Sequence, residues 1–171
     1  MTLASRDMKI KLRKMLLSDA KRFFEILSHQ EFYYFPAKPT SVKQEEGLLR
    51  ELKKSRKEGL KHTFAIINNR KNVGGAGITI NKQSPYRCMI GYFIDRKFWN
   101  KGIATEAVKL LEDFITKNLD MVRIEIITAK KNAASQSVAI KSGYKKEGLL
   151  RKYLKVGDKF HDCYIYSKVL K

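Results

Sequence analysis

The stretch Phe98-Trp99-Asn100-Lys101-Gly102-Ile103-Ala104-Thr105-Glu106-Ala107 constrains the chain most, because two different periodicities meet in it. Before it lies a short apolar run, Met89 to Ile94, of strand length. After it, Ile103, Ala107, Val108, Leu111, Phe114, Ile115 and Leu119 recur at helical spacing. The junction reads as a strand, a glycine-bearing turn and the first turn of a helix. The free N–H groups of a helix's first turn point along its axis, and with the helix dipole they favour an anion, most naturally a phosphate. Gly102 lets such a group approach the backbone, Asn100 tolerates a left-handed conformation or serves as an N-cap, and Lys101 adds charge. A tight turn without a ligand satisfies the same residues. The pattern is neither GxxxxGK[ST] nor G-x-G-x-x-G, so a nucleotide-like ligand would be held in a third way.

Around this junction the rest of the chain reads as short alternating elements. Ile10 and Leu12 alternate with Lys11 and Arg13 in a strand with one buried face. Ser18 is expected to cap a helix with Phe23, Phe24, Ile26 and Leu27 on its apolar side. The aromatic run Phe32, Tyr33, Tyr34, Phe35 follows as a core plug or a pocket wall and ends at Pro36. Thr40 or Ser41 caps a second helix, striped by Val42, Glu45, Leu48, Leu49 and Leu52 and ended by Gly59. Thr63 to Ile67 and Val73 to Ile80 are strands about the turn Asn68-Asn69-Arg70. The three glycines of the second imply a bulge or the close approach of another element. Cys88 to Ile94 is the next strand. Val122 to Ala129 reads as an interior strand covered on both sides, and Asn132 to Ser142 contains a short helix. Lys145 to Val156 and Lys159 to Lys168 form a hairpin about Gly157-Asp158. The order is β-α-α-β-β-β-α-β-α-β-β, an α/β class in a single domain over residues 1–171.

A chain of 171 residues is long enough to bury a core without disulfides. Cys88 and Cys163 suit neither a disulfide framework nor a metal site, which leads to the expectation of a reduced, cytoplasmic protein with no metal. No run reaches the length of a membrane span and no signal-peptide core is visible, so a soluble protein without membrane contact is expected. The formal net charge of +19, from 36 basic and 17 acidic residues, favours encounters with polyanions such as RNA, ribosomes or phosphorylated cofactors. It equally fits simple solvation by lysines spread along the chain. No zinc-finger spacing, basic-plus-heptad region or GXXG loop marks a dedicated nucleic-acid module.

From Gly91 to Ala107 the residues Gly91-Tyr92-Phe93-Ile94 and Trp99-Asn100-Lys101-Gly102-Ile103-Ala104-Thr105-Glu106-Ala107 resemble the GCN5-related N-acetyltransferase (GNAT) superfamily. Within it they are most similar to the RimJ/RimL-like enzymes that acetylate ribosomal-protein N-termini. The resemblance continues through Asn132-Ala133-Ala134-Ser135-Gln136-Ser137-Val138, Lys141-Ser142-Gly143-Tyr144, Glu147-Gly148 and the segment His161 to Ser167, and covers about Ile10 to Leu170. It implies the GNAT fold, a mixed, mostly antiparallel twisted sheet with helices on both faces. It also implies acetyl-CoA as cofactor: backbone N–H groups of Lys101, Gly102, Ile103, Ala104 and Thr105 on the pyrophosphate, and the strand Tyr92, Phe93, Ile94 along the pantetheine arm. Asn132 would bond that arm, with the helix Ser135 to Lys141 beside it. Two departures stand out. Asn100 occupies a position usually held by glycine, and Ala139 stands where many relatives carry a tyrosine that protonates the leaving thiolate, although ribosomal-type relatives often lack it too.

The implied chemistry, an amine attacking a thioester, needs a neutral lone pair, a polarised carbonyl and a proton for the thiolate. Backbone N–H groups near Phe93 and Ile94 are candidates for the carbonyl. Ser135 is the candidate acid, with cofactor hydrogen bonding or helix capping as its alternative role; Tyr144 reads as core. Glu31, bordering the expected amine pocket, and Glu125, on a central strand, are candidate bases through water. The expected activity is direct acetyl transfer to the α-amine of a protein or peptide N-terminus, a ribosomal protein among the candidates. Alternatives are acetylation of a small amine (polyamine, aminoglycoside or amino acid) and a non-catalytic CoA-binding regulator. Weak RNA or ribosome contact through the basic surface is an accompanying expectation, and either monomer or homodimer is compatible.

Overall fold

The computed structural model describes residues 2–4, 10–36 and 38–170. Among these, eight strands form one sheet: β1 Thr2–Ala4, β2 Ile10–Lys14, β3 Lys61–Asn68, β4 Lys71–Ile80, β5 Arg87–Ile94, β6 Arg123–Ala129, β7 Lys145–Val156 and β8 Lys159–Val169. Their spatial order is β1-β2-β3-β4-β5-β6-β8-β7, and neighbours are antiparallel except for β5 and β6, which run parallel. The helices are α1 Ala20–Leu27, α2 Val42–Lys57, α3 Ile103–Asn118 and α4 Ala133–Lys141. The mixed, mostly antiparallel sheet with flanking helices agrees with the expected architecture. One strand is added: β1, whose three residues are too few to show an alternation, pairs antiparallel with β2 through Thr2↔Arg13.

Strand alternation divides the core in two. Phe64, Ile66, Ile78, Ile90, Ile124 and Ile126 point to one face, where they pack with Ala107, Leu111 and Ile115 of α3 and Ala139 of α4. The opposite face sends Ala65 and Phe93 into a second cluster with Phe23, Ile26 and Leu27 of α1, Phe32, and Leu49 of α2. Phe93 meets Phe23 and Phe35 edge-on at ring-centre distances of 5.3 and 5.2 Å. Both consequences expected of the β4 glycines occur. The β3–β4 register shifts between Ile66 and Ile67, and a Cβ on Gly74 would run into the Phe93 carbonyl oxygen.

The helix starts differ in how their N–H groups are satisfied. Ser41 caps α2, its hydroxyl accepting the Gln44 N–H at 3.1 Å. Ser18 does not cap α1. It lies in a 3-10 turn, Leu17–Asp19, whose last residue Asp19 is the N-cap of α1 but makes no side-chain hydrogen bond to it; the Asp19 carboxylate accepts the Leu16 N–H, ahead of the turn, at 2.8 Å. Burial pushes the Asp19 carboxyl up, but the Arg13 guanidinium at 2.8 and 2.9 Å, the Leu16 N–H and the Asn72 amide more than offset that and hold it below the ordinary range. The expectation that β6 is covered on both sides is also corrected. Ile124 and Ile126 are buried under α3, whereas Arg123, Glu125 and Ile127 on the other face are only half-buried. The second cluster, with α1 and α2, centres on Ala65 and Phe93 and includes no residue of β6.

Candidate active site

The one parallel pairing in the sheet is short. β5 and β6 are in register only from Arg87↔Arg123 to Met89↔Glu125. Beyond that vertex, residues 126–129 of β6 pair only with β8, while residues 90–94 of β5 continue beside β4, so the sheet splits into a wedge. Asp95 N–H donates to the Val73 carbonyl at 2.8 Å. Antiparallel alternation then turns the N–H groups of Ile94 and Tyr92 away from β4, into the wedge, and that of Phe93 toward Gly75. The sequence-predicted strand Tyr92-Phe93-Ile94 therefore offers hydrogen-bonding groups to an extended ligand, with Ile94 and Tyr92 carrying the free N–H groups.

The wedge's mouth is closed by the junction segment. Trp99 donates its indole N–H to the Ile94 carbonyl at 2.7 Å. Asn100 has φ 58° and Gly102 φ 71°, so both take the left-handed conformation, and Asn100 substitutes for glycine without breaking the turn. Gly102 is the N-cap of α3 and accepts the Glu106 N–H at 3.0 Å through its carbonyl. That leaves the N–H groups of Ile103, Ala104 and Thr105 at the helix's open end. The Lys101 ammonium lies 5.2 Å from the centre of the Phe98 ring. Free N–H groups, a lysine and an exposed glycine beside an open strand edge form a donor set that fits a pyrophosphate carrying an extended amide arm.

Across the wedge, Asn132 caps α4 by accepting the Ser135 N–H at 3.1 Å, and its amide NH2 remains for another partner. Ser135 Oγ lies 3.1 Å from the Tyr92 hydroxyl, which is also 3.4 Å from the Ser135 carbonyl. Burial pushes the Tyr92 phenol up to about 12, so it stays protonated and positions the serine. This contact has no sequence signature, since the two residues are 43 positions apart. Lys141 is exposed at the other end of α4, six residues and about 9 Å along the axis from Ser135. Ala139 is wholly buried, and Tyr144 belongs to the same core with its hydroxyl unpartnered among the described residues.

On the face away from α3 and α4, the wedge opens onto a trough. Its floor is Gly91, exposed although it lies on an interior strand, with open space where a Cβ would stand. At the mouth end, Glu31 is hydrogen-bonded by Arg96, which holds its carboxyl below the usual range. The aromatic run is split: Phe32 and Phe35 pack inward, Phe32 edge-on to Trp99 at 6.1 Å. Tyr33 and Tyr34 turn outward to meet the His161 ring at 5.5 and 5.3 Å, and the Tyr33 hydroxyl lies 3.3 Å from His161 Nε2. At the vertex end a cavity of about 390 Å³ is bounded by Arg87, Met89, Glu125, Ile127, Leu150 and Tyr153, among others. Glu125 accepts from Arg123 Nε at 2.6 Å, so the two candidate bases sit at opposite ends of the trough. Cys88, at the cavity edge, is buried and its thiol is pushed up to about 12 by burial and by Glu125.

The sequence profile of the acetyltransferase (GNAT) domain matches residues 9–145. The chain belongs to the GNAT acetyltransferase family. As such it is an acetyl-CoA-dependent acetyltransferase, and the wedge with its cradle is the part of the fold suited to that donor. It is 32% identical over 163 residues to the uncharacterized N-acetyltransferase p20 of Bacillus licheniformis, a match covering 93% of this chain and 92% of that protein. In fold it is similar to RimL, a ribosomal L7/L12 alpha-N-protein acetyltransferase solved with coenzyme A, at a TM-score of 0.89, 18% identity and coverage of 99% and 98% of the two chains. It is also similar to the microcin C7 self-immunity acetyltransferase MccE solved with acetyl-CoA and AMP, at a TM-score of 0.84, 20% identity and coverage of 96% and 94%. Both likenesses are of fold.

Proposed function

We propose that this GNAT acetyltransferase transfers the acetyl group of acetyl-CoA to the α-amine of a protein or peptide N-terminus. The observation that carries this reading is the exposed strand surface at Gly91, with open space where a Cβ would stand, which leads past Met89 into the cavity at the vertex end, where an arginine and a glutamate balance each other. A small polycation would be better served by an enclosed acidic site. The ribosomal-protein assignment of RimL, a relative in fold, adds a protein substrate of the same class.

Bound acetyl-CoA supplies a thioester, an acetyl group activated toward amines. The chain's part is to hold, orient and move protons. The N–H groups of Ile103, Ala104 and Thr105, with Lys101, hold the pyrophosphate. The open edge of β5 at Tyr92 and Ile94 and the Asn132 amide align the arm, with the α4 helix from Ser135 to Lys141 alongside, while Phe93 turns its N–H back to β4. Backbone N–H groups of β5 polarise the carbonyl oxygen. Ser135, fixed by Tyr92, would pass its hydroxyl proton to the departing sulfur while its oxygen takes a replacement proton from water, the net proton being the one the amine loses. Glu31, kept ionised by Arg96, draws in the acceptor ammonium and relays its proton to water. A terminal amine with a pKa of about 7.7–8.0 has a useful neutral fraction at neutral pH and needs no strong base.

The test is thiol release from acetyl-CoA with a panel of peptides differing in first residue, polyamines and free amino acids, with products identified by mass spectrometry. Labelling of peptide α-amines above all other acceptors is the expected result. Preferential polyamine labelling would reject the N-terminal assignment, and CoA binding without thiol release from any acceptor would reject turnover itself.

A further inference from the structure

The trough has two ends of different character, and they assign a direction to the acceptor. This step rests on the proposal that the acceptor is a peptide N-terminus. At the mouth end, Tyr33 and Tyr34 reach across to His161, so the loop after α1 and the start of β8 touch over the trough and close it. At the vertex end the cavity of about 390 Å³ stays open. Its wall is apolar along Met89, Ile127, Leu150 and Ile165, and Tyr153 stands at its rim, 54% exposed. Arg87 lies on the same face of β5 as Met89 and Gly91, by alternation. Its side chain lines the cavity and is 39% exposed, with Nη1 3.7 Å from Glu125.

We infer that the acceptor peptide lies along the open face of β5, its amine over Gly91 and its second to fourth residues running into the vertex cavity, where the exposed part of the Arg87 guanidinium donates to one of its carbonyl oxygens. The lengths agree: Gly91 and Arg87 are four residues apart on one strand, about 13 Å, which an extended peptide covers in about four residues. The cavity's charges fix no preference of sign, because Arg87 faces Glu125 and Glu125 is also held by Arg123. Its apolar wall does select: side chains at the second or third position that bury carbon surface bind better than charged ones. The enzyme thus reads residues behind the acetylated one.

The experiment measures kcat/KM on peptides with a fixed first residue and Leu, Gly or Asp at positions two to four, for the wild type and for Tyr153→Ala, Arg87→Ala and Tyr33→Ala. Wild type is expected to favour Leu over Asp at position two or three. Tyr153→Ala, at an exposed rim position, and Arg87→Ala are each expected to lower kcat/KM for the Leu peptide by about tenfold with the KM for acetyl-CoA unchanged. Tyr33→Ala should leave the preference intact. Indifference of the wild type to positions two to four overturns the inference, as does a preference that survives Tyr153→Ala and Arg87→Ala, or one that moves with Tyr33→Ala alone. Those results leave the N-terminal activity standing. Labelling of small amines with no peptide labelled in any arm removes the activity proposed above and this inference with it.

Discussion

Glu45 interrupts the apolar stripe of α2 and is only 3% exposed, with Oε2 unpartnered among the described residues. Burial pushes its carboxyl up to about 7. An unfolded glutamate titrates near 4.3, so the folded protein is at no disadvantage below that pH. As pH rises from about 4.3 to 7, the unfolded chain releases a proton the folded one retains, and folding loses up to roughly 4 kcal/mol. Glu45→Gln should therefore gain stability over wild type at pH 8 and match it near pH 4 in urea titrations; an equal difference at both would refute the assignment. Asp19 has the opposite sign: its depressed pKa adds stability above the unfolded value near 3.9, lost as pH falls through the folded one. At the site, Ser135→Ala is expected to lower kcat about a hundredfold with little change in acetyl-CoA affinity, and Tyr92→Phe less, since it loosens the acid without removing it. Nothing in the sequence joins Tyr92 to Ser135 or Glu31 to Arg96. Those contacts exist because β5 lies beside α4 on one face and beside the loop after α1 on the other.

Among the elements, the hairpin was legible almost to the residue, since long strands about Gly157-Asp158 carry both alternation and turn chemistry. The α3 start was equally plain, because only a strand-to-helix change with a glycine between explains that stretch. β1 was not, and neither was the half-open face of β6, whose coverage depends on where helices far off in sequence stop. The wedge left no mark at all: pairing that ends after three residue pairs is a property of two strands together. Gly102→Val would put a β-branched side chain at φ 71°, distort the first turn of α3 and raise the acetyl-CoA dissociation constant by about tenfold while the chain stays folded. Calorimetric titration measures this, and an unchanged constant would put the cradle elsewhere. Asn100→Gly, at φ 58°, should leave affinity and stability close to wild type.

At the scale of the whole molecule, 36 basic residues against 17 acidic ones give the chain a strong positive charge, and the acetyl donor is a polyanion. Acetyl-CoA should accordingly bind more weakly as ionic strength rises, with the loss in the association rate rather than in dissociation; stopped-flow measurements across a salt series resolve the two, and a salt-independent association rate would count against steering. The charge also suits the weak RNA or ribosome contact expected from the sequence, which the same series with an RNA oligonucleotide would test. The sheet itself is two half-sheets clipped together at three residue pairs, and the lip of one half carries Trp99, the chain's single tryptophan. Its indole is 39% exposed and bonded to the Ile94 carbonyl, beside the strand edge a donor arm would occupy. The protein thus contains its own optical probe: a ligand filling the wedge should shift and rescale tryptophan emission with no label attached, turning occupancy of the cleft into a colour change readable in real time.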